Sequence, residues 1–397
     1  MCQLRLSVAL LVAWLCFPAS PGAAGPFASS AEIALIADYE SGAVLYEKNA
    51  DEPTPPASTA KLLTAEIVFR ELKGGRLRLD DVFDVSEKAW REGGAHAHGA
   101  AMFLALKSRV RVEDLLRGLI VQSGNDAAMV LAEGLAGSEA AFAELMNKRA
   151  AELGMTHSRF TDPRGKADPQ TRTTARDMAL LAAYVIREYP DYYHYFGEKE
   201  FTWNKIRQLN RNPLLTMDLG ADGLKAADVA DGGFGCIGSA VAYGGRLIAL
   251  MYGLKTSTER VEEARKLFGY GFHSFDRRTV FEAGEKVGAA SVFGGEAGEV
   301  PLVSDRPIVV FVPRGESGKL TAKIVYTGPL TAPVEKGSDA GRLKIWRDDM
   351  LVDDVPLKTG AFVPRGGLTK RAFDAGLELA GDAIRGAIGD ALARFRK

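Results

Sequence analysis

The sequence is poor in cysteine and histidine, which excludes two common ways of building a scaffold or a site. Of its three cysteines, Cys2 and Cys16 lie in an N-terminal segment that we expect to be removed, which leaves Cys236 without a partner. A disulfide framework is therefore excluded. The chain has five histidines, of which His96 and His98 stand one residue apart. No His-Glu-x-x-His pattern occurs, so a metalloprotease site is not indicated.

The chain also lacks an excess of either charge and a second long apolar run. Fifty basic and 51 acidic residues give a formal net charge of -1. This balance argues against a nucleic-acid partner, because nucleic-acid-binding proteins normally carry clustered basic residues. No run reaches the roughly 18 apolar residues of a membrane-spanning helix. With 397 residues, 47% hydrophobic and 25% charged, the composition predicts a globular protein of two or three domains.

The first residues have the layout of an export signal. Arg5 precedes the apolar run from Leu6 to Phe17, and small residues follow up to Ala24. A basic start, a short apolar stretch and a small-residue cleavage site define a secretory signal peptide. We therefore predict a signal peptide over residues 1–24 and an exported mature protein without a membrane span.

The next part of the chain predicts a domain of mixed α and β structure over residues 28–270. Alternating segments from Ile33 to Asp38 and from Ala43 to Tyr46 indicate two strands joined by a turn. Apolar residues at helical spacing follow, including those from Leu62 to Val68. Further strands are predicted from Gly235 to Ala242 and from Arg246 to Gly253, so strands at both ends enclose a mostly helical middle.

The remainder of the chain predicts two smaller units. Short strand-like runs separated by glycine, proline and charged turns indicate a small β-sandwich over residues 274–364. Residues 366–397 have apolar side chains at helical spacing, and six basic against four acidic residues from Lys370 onward. This amphipathic segment could pack on the protein, but its net positive charge favours a helix lying on the membrane surface.

The first chemical motif is Ser58-Thr59-Ala60-Lys61, where a proline-rich turn enters the first long helix. At i and i+3 on a helical turn, the Ser58 hydroxyl and the Lys61 amine lie on one face. Lys61 could take the hydroxyl proton of Ser58 and so activate it as a nucleophile, provided that burial or a nearby cation lowers the pKa of Lys61. The motif is weak evidence by itself, since Ser-x-x-Lys is expected by chance in many chains of this length.

Two further motifs follow in the chain. Ser123-Gly124-Asn125 places a hydroxyl and an amide between two predicted helices, where they could relay a proton and hold a substrate carbonyl. Asp222-Gly223-Leu224-Lys225 precedes the predicted strand pair. Each motif alone is more simply explained by a glycine turn or by a solvated surface lysine; their order and separation together carry the signal.

These segments resemble the serine D-alanyl-D-alanine carboxypeptidases, the low-molecular-mass penicillin-binding proteins. The similarity extends over nearly the whole mature chain and includes the segment from Asn210 to Leu215 and the β-rich tail. It implies an α/β (α+β) catalytic domain like those of serine β-lactamases and penicillin-binding proteins, followed by a small β-sandwich domain and a C-terminal amphipathic helix. A class A β-lactamase is not favoured, because its deacylating glutamate loop has no convincing match.

The resemblance also implies a role for each site residue. Ser58 corresponds to the acylated nucleophile, Lys61 to its proton acceptor and Ser123 to a proton relay. The remaining residues correspond to groups that bind the substrate. Asn125 corresponds to a residue that positions the substrate, and Lys225 to one that lies beside its carboxylate. The backbone N–H groups of Ser58 and Asp228 correspond to those that hold the oxyanion. The implied ligands are D-Ala-D-Ala stem peptides of peptidoglycan and β-lactams. No cofactor or metal is implied, and the implied location is the periplasm, at the outer face of the inner membrane.

One departure from the family pattern concerns the strand that carries Lys225. The family has Lys-Thr-Gly, whereas this chain has Lys225-Ala226-Ala227 followed by Asp228. Ala226 cannot donate a hydroxyl hydrogen bond to a carboxylate, and Asp228 adds a negative charge. A Lys358-Thr359-Gly360 sequence falls in the tail, where we expect it to be a coincidence. The alternative function is therefore an impaired family member that binds cell-wall peptide or β-lactam without efficient turnover.

Overall fold

The computed structural model describes residues 27–229, 233–314 and 320–368. The predicted signal peptide and nearly all of the predicted terminal helix lie outside these residues. Up to residue 254 the strands are β1 (Ile33–Asp38), β2 (Val44–Lys48), β3 (Val82–Asp84), β4 (Arg109–Arg111), β5 (Glu200–Trp203), β6 (Ile206–Leu209), β7 (Ala221–Val229), β8 (Gly233–Ala242) and β9 (Gly245–Leu254).

Helices lie between these strands along the chain, and the last helix follows β9. They are α1 (Lys61–Lys73), α2 (Val112–Ile120), α3 (Asn125–Ala136), α4 (Glu139–Glu152), α5 (Ala175–Glu188), α6 (Pro190–Tyr193) and α7 (Ser257–His273). The prediction of a strand over Ile33–Asp38 is confirmed. Helix α4 begins at Glu139, where the Ser138 hydroxyl accepts a hydrogen bond from the N–H of Ala141.

An antiparallel sheet in the order β2-β1-β9-β8-β7 divides the core of this part of the molecule. One apolar cluster joins one face of the sheet to α1–α5, and a second cluster packs α7 against the other face. The central strands β8 and β9 are nearly continuous apolar runs because both of their faces are covered. Strand β7 lies at the edge of the sheet, so one of its sides has no neighbouring strand among the described residues.

The tail consists of strands around a third apolar cluster. Six of them form a sheet in the order β14-β16-β17-β12-β11-β15, and β10 pairs with β13. Their bounds are β10 (Phe275–Phe281), β11 (Lys286–Phe293), β12 (Glu299–Val303), β13 (Ile308–Pro313), β14 (Leu320–Val325), β15 (Leu330–Thr331), β16 (Asp339–Arg347) and β17 (Met350–Thr359). Both sheets contribute to the cluster, which agrees with the predicted small β-sandwich.

Arginines of the tail hold it to the first sheet. Arg306 donates hydrogen bonds to the carbonyl oxygens of Glu40 and Ser41, and Arg347 Nη2 donates to the carbonyl of Leu45 at 2.8 Å. Within the described part of the chain, no helix combines the length and apolar character needed to cross a membrane.

Candidate active site

Ser58 lies in a short 3₁₀ turn, Ala57–Ala60, that runs directly into α1. Its Oγ is 3.3 Å from Nζ of Lys61, as the i, i+3 spacing predicted. Ala57 has a φ of 45°, a strained value for a residue with a side chain. Gly165 packs so closely on the turn that a Cβ there would lie 1.8 Å from the carbonyl oxygen of Ala57. The loop that contains Gly165 therefore supports the strained turn that presents Ser58.

Lys61 is buried, and its surroundings prepare it to accept a proton. Its Nζ donates a hydrogen bond to the carbonyl oxygen of Arg164 at 2.8 Å. Burial lowers the pKa of Lys61 to about 7; the positive charges of Arg164 and Arg211 add to this lowering, and Asp162 opposes it. At neutral pH a large fraction of this amine is therefore unprotonated, as a base acting on a serine hydroxyl requires.

Ser123 lies in the loop between α2 and α3, two residues before Asn125, which lines the cleft. It has a φ of 60°, a left-handed conformation that is unfavourable for serine and is found mostly where function requires it. Its Oγ is buried and has no hydrogen-bond partner among the described residues. The loop is fixed by the buried carboxylate of Asp126, which accepts hydrogen bonds from the N–H groups of Met102 and Leu104. Ser123 is thus held rigidly with a free hydroxyl.

The side chain of Lys225 lies in the interior, which corrects the expectation of a lysine at the exposed edge of a strand. On β7 it is 2% exposed, and its Nζ donates a hydrogen bond to the carbonyl oxygen of Ile120 at 3.1 Å. Burial holds the pKa of Lys225 well below its usual range, and the charges of Lys61 and Arg211 lower it further. The spacing of residues could not reveal this burial, because α2 covers this side chain only in the folded protein.

The residues after Lys225 form the rest of the strand edge. Ala226 and Ala227 are buried, and Ala226 belongs to the apolar cluster beneath α7. The carbonyl oxygen of Ala227 accepts a hydrogen bond from Arg260 Nη1 at 3.2 Å, and the same nitrogen lies 2.6 Å from Oδ1 of Asp228. Asp228 is therefore paired with an arginine of α7.

A cleft of about 560 Å³ brings four of the six predicted site residues together. They are Ser58, Lys61, Asn125 and Asp228, whereas Ser123 and Lys225 are buried and do not line it. Arg91, Arg164 and Lys166 also line this cleft, against a single additional carboxylate, that of Glu92. The cleft is thus open to a peptide and rich in donors for a ligand with carboxylates.

Sequence reasoning missed four charged residues that shape the site: Asp126, Arg164, Arg211 and Arg260. Asp126 directly follows the Ser-Gly-Asn motif, so its position was a usable signal. Arg164 lies in the Asp-Pro-Arg-Gly segment, where its carbonyl meets Lys61. Arg211 lies in the segment from Asn210 to Leu215 that carries part of the resemblance, but sequence reasoning assigned it no role, and nothing in the sequence singled out Arg260. Within the ranges that the structure describes, no three His, Cys, Asp or Glu side chains are grouped as metal ligands.

Two known protein families match parts of this sequence. Residues 20–256 match the family described as D-alanyl-D-alanine carboxypeptidase, peptidase S11. This match covers more than half of the chain. The chain belongs to the D-alanyl-D-alanine carboxypeptidase family. Residues 275–365 match a second family, described as the C-terminal domain of penicillin-binding protein 5.

Individual members of the carboxypeptidase family are similar to this chain over most of its length, and a solved member has a similar fold. The chain is 38% identical over 343 residues to D-alanyl-D-alanine carboxypeptidase DacC of Escherichia coli (strain K12), covering 86% of each chain. It is 34% identical over 348 residues to DacA of Haemophilus influenzae, covering 87% of this chain and 88% of the relative. The crystal structure of penicillin-binding protein 5 from Haemophilus influenzae has a TM-score of 0.74 at 34% identity, covering 86% of this chain and all of that one.

The later Lys-Thr-Gly sequence of this D-alanyl-D-alanine carboxypeptidase family member lies in the tail. Lys358 and Thr359 end β17, where Lys358 Nζ lies 2.5 Å from Oδ2 of Asp305 and the Thr359 hydroxyl donates to the carbonyl of Glu335. These contacts are structural, and the sequence of the cleft strand remains Lys225-Ala226-Ala227.

Proposed function

We propose that this protein is a serine-type D-Ala-D-Ala carboxypeptidase, which removes the terminal D-alanine of peptidoglycan stem peptides through an acyl-enzyme on Ser58 and is acylated by β-lactams. The observation that carries the proposal is the Ser58–Lys61 pair. A serine hydroxyl in an open cleft lies 3.3 Å from a buried lysine amine with a pKa of about 7. No observation on the described residues favours the alternative of binding without turnover.

In the first step, neutral Lys61 takes the proton of Ser58 while Oγ attacks the carbonyl carbon of the penultimate D-alanine. The backbone N–H groups of Ser58 and Asp228 stabilise the oxyanion. Asn125 positions the peptide in the cleft. The proton passes through Ser123 to the leaving amine, so the C–N bond breaks and free D-alanine departs.

In the second step, water attacks the acyl ester and restores the hydroxyl of Ser58. Lys61 again takes a proton, this time from the water molecule, by the same general-base chemistry. The chemistry requires only groups of this chain, water and substrate. Lys225 lies beneath the strand edge, with its Nζ hydrogen-bonded to the carbonyl oxygen of Ile120, and supplies positive charge to the site from there when it is protonated.

The direct test of the nucleophile is covalent labelling by a fluorescent penicillin. We expect the wild-type protein to be labelled and Ser58→Ala to be unlabelled, with Ser291→Ala as the control. Ser291 is an exposed serine on β11, far along the chain in the tail. Absence of label on the folded wild-type protein would contradict the proposal.

Turnover is tested separately, with an acetylated tripeptide ending in D-Ala-D-Ala. Release of D-alanine by the wild-type protein supports the carboxypeptidase function. Penicillin labelling without release of D-alanine would instead establish the alternative, an impaired member that binds without efficient turnover.

We further propose that the protein acts in the periplasm, held at the outer face of the inner membrane by the terminal helix within residues 366–397. The support is the layout of residues 1–24 and the amphipathic spacing and positive charge of the last segment. Flotation with vesicles that contain anionic lipid tests the anchor. Ile384→Glu with Ile388→Glu should abolish flotation, whereas two surface changes in the tail, Lys286→Gln and Glu299→Gln, should not.

A further inference from the structure

Asp228, which lines the cleft, forms an ion pair with Arg260 of α7. The Asp228 side chain is 60% exposed and lines the cleft with Ser58, whereas Arg260 is almost fully buried in α7 beneath it. The Arg260 guanidinium also lies over the ring of Phe234, 5.4 Å from its centroid. A largely exposed carboxylate thus covers a buried guanidinium at the edge strand.

Arg260 is the stronger of the two cations near Asp228. Arginine stays protonated and presents several N–H donors in a plane that suits a carboxylate. Burial lowers the pKa of Lys225 well below its usual range, so the charge of this lysine is less firmly held than that of Arg260. Arg260 Nε is buried and has no acceptor among the described residues. The guanidinium therefore keeps one donor, Nε, that no described residue uses.

We propose that Asp228 is an internal competitor for the terminal carboxylate of the substrate and sets the selectivity of the site. Its side chain occupies the Arg260 guanidinium, and a substrate with a free carboxylate must displace it. Substrates whose last residue is amidated or extended by another residue avoid this competition. The inference rests on the proposed function and concerns the same cleft.

Two physical effects weaken the binding of a substrate that has a free terminal carboxylate. A free carboxylate beside Asp228 is repelled by a like charge, and it must replace an existing charge-assisted hydrogen bond rather than form a new one. Ala226 offers no hydroxyl to compensate for that loss. Because the Asp228 side chain is largely exposed, turning it away requires no rearrangement of the core, so displacement is possible but unfavourable.

The experiment compares two substrates on one variant. The substrates are an acetylated tripeptide ending in D-Ala-D-Ala and the same tripeptide with a C-terminal amide; the measured quantity is the ratio of their kcat/KM values. In Asp228→Asn we expect this carboxylate-to-amide ratio to rise about tenfold, mainly through a lower KM for the substrate with the free carboxylate. A tenfold change is about the size expected for one hydrogen bond to a charged group.

The matched control is Asp276→Asn, which removes another carboxylate paired with an arginine, Arg314, in the tail. Its ratio should stay at the wild-type value.

A second variant tests whether Asp228 acts through Arg260. In Asp228→Asn with Arg260→Gln, the gain in the ratio should disappear, because no guanidinium remains to be released. A gain that persists in the double variant, or a ratio unchanged in the single variant, overturns the inference. Asp228→Ser provides the same comparison if Asp228→Asn folds poorly, as judged by melting temperature. Penicillin labelling of the wild-type protein separates this outcome from a failure of the proposed function.

Discussion

At the scale of single residues, the site depends on a lysine that burial keeps close to neutrality. Because the pKa of Lys61 is lowered to about 7, the unprotonated base becomes abundant as pH rises through 7. We expect the rate of penicillin acylation to rise about tenfold from pH 5.5 to 6.5 and to level off above pH 8. Lys61→Arg should lose at least about a hundredfold in rate, whereas Lys73→Arg, an exposed lysine on the same helix, should keep the wild-type profile. A rate that still rises steeply at pH 9 would show that Lys61 titrates normally.

Lys225 allows a second prediction at this scale. Burial holds its pKa well below the usual range, and a substrate carboxylate in the cleft favours the protonated form. Binding of a D-Ala-D-Ala peptide to Ser58→Ala should therefore take up protons, in the pH range where Lys225 is partly unprotonated. Isothermal titration calorimetry in two buffers with different ionisation enthalpies measures that uptake. Most of it should vanish in Ser58→Ala with Lys225→Met; equal uptake in both proteins would mean that another group, such as Lys61, is responsible.

At the scale of elements, α1 is held in place by a buried ion pair behind the site. Glu66, fully buried on α1, accepts hydrogen bonds from Arg149 of α4 at 2.7 Å and from the hydroxyl of Tyr189 at 2.8 Å. Arg149→Met leaves the Glu66 carboxylate without its cation, so we expect a loss of about 3–5 kcal/mol in the free energy of unfolding. Chemical denaturation measures this loss.

The control for this prediction is Glu152→Gln, which weakens the partly exposed contacts of Glu152 with Arg149 and Arg70 and leaves the buried pair intact. It should cost less than about 1 kcal/mol. Glu66→Leu with Arg149→Met should recover much of the lost stability, because no unpaired charge remains. A double variant no more stable than Arg149→Met would attribute the loss to packing rather than to charge.

Strand β7 gives a prediction at the same scale. Ala226→Thr with Ala227→Gly adds a hydroxyl and removes a methyl group at the sheet edge, and we expect it to raise the rate of D-alanine release at least about tenfold. Ala226→Val with Ala227→Gly has the same shape without the hydroxyl and should not show this gain. Equal rates in the two variants would mean that this strand edge does not bind the carboxylate through a hydroxyl.

At the scale of the whole molecule, the tail packs against the first sheet around a buried carboxylate. Asp353 on β17 is 7% exposed, lies 3.6 Å from Arg306, and has a second oxygen, Oδ2, without a partner among the described residues. Burial raises the pKa of Asp353 to about 6, although Arg306 opposes the shift. A raised pKa means that this carboxyl favours the folded state at low pH and that its contribution is lost as pH rises through 6.

Asp353→Asn removes the pH dependence of stability that arises from this carboxyl. The melting temperature of the variant minus that of the wild-type protein should therefore increase between pH 4 and pH 7.5, by a few degrees for a change of roughly 2 kcal/mol. Differential scanning calorimetry across this range measures the difference. A constant difference would show that Asp353 titrates alike in the folded and unfolded chain.

The sequence by itself determined the local parts of this site. Ser58 and Lys61 are three residues apart at the start of a helix, so their contact follows from helical geometry alone. The strand over Ile33–Asp38 was equally readable, because the alternation of side chains along a strand is a local signal. The order of the three motifs was sufficient to indicate the family, since chance rarely reproduces three spaced motifs together.

Tertiary structure alone decided the environment of these groups. Lys225 reads as an exposed lysine in sequence, yet Ile120, 105 residues away, accepts its hydrogen bond in the interior. The pairing of Asp228 with Arg260, 32 residues later, likewise depends on how α7 packs across the sheet. Burial and charge–charge distances fix a pKa and the availability of a cation, and both depend on contacts between distant segments. The sequence therefore determined which groups are present, and the fold determined their protonation and their partners.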